Sequence, residues 1–161
     1  MPFLALFGIS ILMSFVAFGL VAKFFIWPYL KDREQKAALL PLIAPHTFRF
    51  LGLSFLMPGV VSPSLPSAFA APAAYGDLVA AILAVATSIA VFKRWSPSIL
   101  MVWVFNVWGT TDLLLAFYRA LFVVNLDARM LGAAFYIPTA LVPALLVTHG
   151  LIFWILLRRR R

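Results

Sequence analysis

The chain has 161 residues, 65% of them hydrophobic and 11% charged, with a net charge of +8, a mean hydropathy of +1.05 and no cysteine. A soluble domain of this size has too little interior to hide that much apolar surface. The lack of cysteine excludes disulfides, thiolate metal sites and thiol catalysis. The basic residues fall in short clusters between apolar runs, a pattern that suits anionic headgroups and positive-inside topology and argues against nucleic acid as a partner.

The first apolar run covers residues 3–27. Residues 1–12 lack the basic start of a secretory signal, so the run is read as a retained helix. Lys23 lies where a lysine snorkels to headgroups, and Trp27 and Tyr29 resemble an interfacial aromatic belt. Lys31, Asp32, Arg33, Glu34, Gln35 and Lys36 form the one strongly polar stretch, read as a solvated loop.

The second run, 39–61, contains Pro41, Pro45, His46, Arg49 and Pro58. Prolines near its start suit a helix beginning, and Pro58 is expected to kink the far end. A broken or re-entrant helix is the alternative there. Residues 62–72 carry three prolines and no charge, which predicts a loop. The third run, 73–92, has Asp77 near its beginning after Gly76, and Lys93, Arg94 and Trp95 close it. The fourth, 97–124, opens on Pro97, a favourable first-turn residue. A short turn at 125–132 leads to the fifth run, 133–157, which contains Pro138, Pro143 and His149. Four arginines, Arg158 to Arg161, end the chain.

These runs predict an all-α integral membrane protein: one transmembrane domain over 1–161, built as a five-transmembrane-helix bundle with proline-kinked second and fifth helices. Five crossings with the N-terminus outside place Lys31, Arg33, Lys36, Lys93, Arg94 and the terminal arginines on the cytoplasmic side. Arg129 is the main exception. A plasma membrane such as the bacterial inner membrane is the expected location.

Polar residues at depth mark the candidate site, because hydrocarbon tolerates them only when they face an interior or a cavity. At ~1.5 Å per residue, Asn106 lies ~14 Å and His149 ~12 Å from the cytoplasmic end, with Arg49 at a similar level. Asp77 and Asp112 each lie ~22 Å in, an outer layer with Tyr75 above and Arg119 as a cationic partner. Each of these residues has a structural alternative. Asn106 with Thr110 also reads as interhelical hydrogen-bond glue, Asp112 as an ion pair with Arg119 or Arg49, Asp77 as a solvated helix-start residue and His149 as a satisfied buried histidine. His46 reads as a wet or capping residue.

His46 and His149, on different helices, raise haem as a cofactor through bis-imidazole ligation. A metal site lacks enough ligands at matching depth, and phosphate-loop and dinucleotide fingerprints are absent. Kinked helices leave gaps, and apolar cavities with a few convergent polar groups are the usual form of a small-molecule site. The leading expectation is therefore binding or transport of a lipid, isoprenoid, quinone or tetrapyrrole, with Arg49, Asn106, Trp108, Asp112 and His149 as ligand-binding residues. Secondary candidates are His46, Asp77, Tyr75 and Arg119. Two other classes stand beside it: an accessory or assembly subunit, as a homo-oligomer or within a larger membrane complex, and a lipid isomerase using Asp112 and Asp77 as acid and base.

Length, five predicted spans and tryptophan content resemble the translocator protein (tryptophan-rich sensory protein) family, small five-helix membrane proteins that bind porphyrins and sterol-like lipids. The resemblance is architectural. The first loop reads Trp27-Pro28-Tyr29-Leu30-Lys31-Asp32, without that family's Lys-Pro and double proline, and no binding residue carries over.

Overall fold

The computed structural model describes residues 3–158, so Arg159, Arg160 and Arg161 lie outside the described residues. Five helices are long and apolar enough to cross a membrane: α1 (Leu4–Leu30), α2 (Gln35–Leu56), α3 (Ser67–Phe92), α4 (Ser98–Val123) and α5 (Ile137–Leu157). Among the described residues there are no strands beyond one isolated bridge between Pro58 and Val61.

The alanine-rich sequence of α3 explains its central place. Ala70, Ala73, Ala74, Asp77, Ala80, Ala81, Ala84 and Thr87 recur at intervals of three and four and are all buried. A stripe of small side chains lets neighbouring backbones approach closely, and α3 packs extensively on both α2 and α4. Helix α5 contacts α1, α2 and α4. Most of α1 stays apolar and outward-facing, with Leu4 and Phe25 each 72% exposed, as a lipid-facing helix requires.

Two apolar clusters occupy opposite ends of the bundle. One gathers Leu39, Ile43, Val91, Val102, Phe105 and Ile152; the other gathers Phe55, Phe69, Ala74 and Leu131. The polar residues lie between them along each helix. At the first end Arg94 pairs with Glu34 at 2.8 Å and Arg158 donates to the Lys31 carbonyl at 3.3 Å. The α1–α2 loop, the α3–α4 loop and the end of α5 therefore share one face. At the other end Ser62 N–H donates to Met130 O at 2.9 Å and Ala133 N–H to Val60 O at 3.0 Å. Gly132, with φ of +51°, lies under the Val60 carbonyl, where a Cβ would collide.

Several element boundaries differ from expectation. Helix α2 ends at Leu56, before Pro58, so that proline lies in the following turn and kinks nothing. Helix α3 begins at Ser67 and carries Pro72 inside, so part of the expected loop at 62–72 is helical. Gly76 and Asp77 consequently sit well within α3, and Asp77 is only 7% exposed, a buried residue instead of a solvated one. Pro66 precedes the helix, and Pro72, its sixth residue, removes one i→i−4 hydrogen bond without ending it.

A buried guanidinium, two carboxylates and an imidazole pair

The inner half of the site is set by an unusual stretch of α2. Residues Ala44–Leu56 adopt 3₁₀ conformation, with three residues per turn. Side chains three apart then stack in one column. The column is His46, Arg49, Gly52 and Phe55, each buried. An α-helix would have rotated each of them ~60° from the last, scattering the four around the axis.

Arg49 is the centre of the site, its side chain wholly enclosed. Nε donates to Asp77 Oδ1 at 2.7 Å, Nη2 to Asp112 Oδ2 at 2.7 Å and Nη1 to the Gly109 carbonyl at 3.0 Å. Nη2 also lies 2.7 Å from Asp77 Oδ1. One planar fork thereby joins α2 to α3 and α4, a geometry that a lysine's point charge cannot supply. Burying such a cation without partners would be prohibitive.

Three glycines clear the space. A Cβ at Gly52 would run into the Asp77 side chain, and one at Gly76 into the Asp112 carboxylate. At Gly109 it would meet the His149 ring at 2.7 Å and Arg49 Nη1 at 2.9 Å. Each of the helices α2, α3 and α4 thus contributes one residue without a side chain against the charged groups.

Behind the guanidinium lies the imidazole pair. His149 Nδ1 is 2.6 Å from Asn106 Oδ1, while Asn106 Nδ2 donates to the His149 carbonyl at 3.3 Å. The asparagine oxygen can only accept, so His149 Nδ1 carries the proton. His46 Nε2 is 2.9 Å from Thr148 Oγ1. The Thr148 hydroxyl already donates to the Leu145 carbonyl at 2.9 Å, so His46 Nε2 is the donor. The remaining nitrogens, His46 Nδ1 and His149 Nε2, are buried without a partner.

On the side of Asp77 and Asp112 away from the histidines, a narrow cavity of about 40 Å³ opens between α3, α4 and α5. Its walls include Phe55, Phe69, Leu113, Phe117 and Pro138, with Phe7 of α1 at one side. Among the described residues, the two carboxylates are its only charged lining groups.

The structure brings together Arg49, Asp77 and Asp112 in one contact, and Asn106, His149 and His46 in the adjoining one. The ion-pair partner of Asp112 is Arg49 and not Arg119, because the column on α2 aims the guanidinium at it. Trp108 and Tyr75 stand apart: Trp108 is 47% exposed in an outer groove with Trp103, Val104, Val107 and Thr111, and Tyr75 is 58% exposed. His46 is fully buried, contrary to the wet position expected of it, because the 3₁₀ turn carries it inward with Arg49. Sequence reading missed the roles of Gly52 and Gly109. The available signal was the three-residue spacing of His46, Arg49, Gly52 and Phe55.

The haem expectation fails the fit. The rings of His46 and His149 touch, with centroids 4.1 Å apart, and His149 also packs on Phe105 at 5.4 Å. Axial ligation needs two imidazoles on opposite faces of a macrocycle, and these rings leave no room for one between them. Among the described residues no three His, Asp or Glu side chains gather to hold a metal ion.

Neither the curated proteins nor the solved structures yield a match. A family model does match, over residues 6–157, and the chain belongs to that family, described as Domain of unknown function (DUF8737).

Proposed function

We propose that this is a small multi-pass membrane protein that binds, or passes between leaflets, an elongated hydrophobic or amphiphilic molecule held in the cavity between α3, α4 and α5. The carrying observation is the cavity itself: apolar walls with two convergent carboxylates at one place are what an amphiphile's body and polar end require. Its narrowness favours an acyl or isoprenoid chain over a flat macrocycle.

In this reading the basic face is cytoplasmic and the cavity lies in the outer half of the bilayer, with the N-terminus outside. The host would be a plasma membrane such as the bacterial inner membrane. The π-helical turn at Ile137–Leu141, beside Pro138 and Pro143, would be the kink that holds α5 off α4. The test is extraction and native mass spectrometry of protein purified in mild detergent. A reproducible bound amphiphile, lost when Ala120→Phe fills the cavity, is expected; its absence from the wild type would refute the reading.

The two carboxylates facing an apolar space favour one second reading, an isomerase that moves a proton along a polyene lipid. It predicts a changed double-bond position in lipids incubated with the wild type and none with Asp112→Asn.

A further inference from the structure

The cavity has about 40 Å³ of free space, room for a few waters, where a small-molecule site needs ~300–1,000 Å³. A chain enters only if a wall moves. Among the described residues Phe55 is the one wall residue that α2 supplies, and its ring packs edge-on against Phe69 at a centroid distance of 5.4 Å.

Phe55 belongs to the 3₁₀ stretch Ala44–Leu56, which is 13 residues long. Such runs rarely exceed three or four residues, because their hydrogen bonds are poorly aligned. The α-helix is the more favourable form of an isolated stretch, so contacts with neighbouring helices hold this one. They come from the buried column: Arg49 bonds α3 and α4, and His46 donates to Thr148 of α5. Conversion to α-helix would turn His46 by ~60° relative to Arg49, so the two could not both keep their partners. With Arg49 in place, Phe55, six residues on, would swing by ~120° and leave the cavity. The stretch would also shorten by ~6 Å. The turn at 57–59 takes that up by extending, since three residues reach ~10 Å when drawn out.

We propose that residues 44–56 are a gate. The 3₁₀ form closes the cavity with Phe55, and conversion to α-helix, released when the Arg49 or His46 contact lets go, opens it to an amphiphile's chain. The buried charged group is then the latch of the gate and not the ligand's anchor. The gate's purpose rests on the binding role just proposed, and its movement does not.

The chain has no cysteine of its own, so nitroxides on Ala44→Cys and Leu56→Cys, both exposed positions, read the length of the stretch by double electron–electron resonance in phosphatidylcholine nanodiscs. The expected result is one main distance and a minor one ~6 Å shorter. Asp112→Asn weakens a charge-assisted bond and should raise the ratio of short to long about ten-fold. Thr148→Val, which removes the partner of His46 and leaves the charges alone, should raise it about five-fold. Saturating 1-dodecanol, a plain chain-like amphiphile, should raise the ratio in the doubly labelled protein and leave it unchanged once Ala120→Phe fills the cavity.

A ratio that neither Asp112→Asn nor Thr148→Val alters overturns the gate. Dodecanol retained in native mass spectra and lost in Ala120→Phe, with no change of distance, also overturns the gate and leaves the binding role standing. If the variants shift the ratio and no dodecanol is retained, the gate stands and the binding role falls.

Discussion

His46 and His149 face each other with ring centroids 4.1 Å apart, yet their hydrogen bonds hold them in opposite tautomers. Asn106 draws the proton of His149 to Nδ1, and Thr148 draws that of His46 to Nε2. The two nitrogens left over have no donor, although both lie inside the bundle.

That arrangement predicts a spectroscopic result. Nitrogen-15 spectra of histidine-labelled protein should show one Nδ1–H ring and one Nε2–H ring. Asn106→Leu should shift only the His149 signals, and should cost about 1–3 kcal/mol for the donor left unsatisfied. Two rings with the same tautomer would contradict the hydrogen-bond scheme.

Arg49 joins three helices, so its removal should be felt throughout. Arg49→Met leaves the buried Asp77 and the half-buried Asp112 without their shared ion-pair partner, and the expected loss of stability is about 3–5 kcal/mol. Arg49→Lys should recover little of it, because an ammonium lacks the fork that reaches Asp77, Asp112 and the Gly109 carbonyl together. Thermal unfolding in a fixed detergent measures both. A lysine variant with wild-type stability would mean that charge alone matters at this position.

Glycine substitutions separate close packing from helix propensity. Gly109→Ala should destabilise by about 1–3 kcal/mol, since its Cβ would press on His149 and Arg49. Gly150→Ala on α5 has open space around it and should be neutral, or more stable by up to about 1 kcal/mol. Equal effects at the two sites would show that the tight approach at Gly109 is unimportant.

Outside the helices long and apolar enough to cross a membrane, Asp127 gives a pH prediction. The side chain of Arg129 and its backbone N–H both donate to the carboxylate, holding its pKa below the usual carboxylate range. A depressed folded-state value means that the contact's small stabilisation is present above the unfolded pKa and is lost as pH falls through the folded one. Carboxyl carbon-13 titration should place the Asp127 midpoint lower in the wild type than in Arg129→Ala. An unchanged midpoint would show that the exposed pair does not persist in solution.

Much of the architecture was legible in the composition. Apolar runs long enough to span ~30 Å were separated by basic clusters at Lys31 to Lys36 and Lys93 to Arg94. Depth counting also placed Asp77 beside Asp112 and Asn106 beside His149, since rise per residue is nearly constant in a helix. It missed where α3 begins, because proline density at 62–72 outweighed the alanine stripe behind it. It also could not find the cavity, whose walls come from all five helices and from Leu126 and Leu131 in the connection between α4 and α5.

What the amino-acid sequence determined by itself was that charged and amide groups sit at depth in helices long and apolar enough to cross a membrane. Hydrocarbon allows such groups only where they turn inward. Which of them meet was decided by helix phase and by packing. Three residues per turn in α2, and not 3.6, aim His46 and Arg49 in one direction, and glycines on three helices let the backbones close around them. Phase depends on how neighbouring helices press together, so the three-residue spacing on α2 gains its meaning only with those neighbours in place.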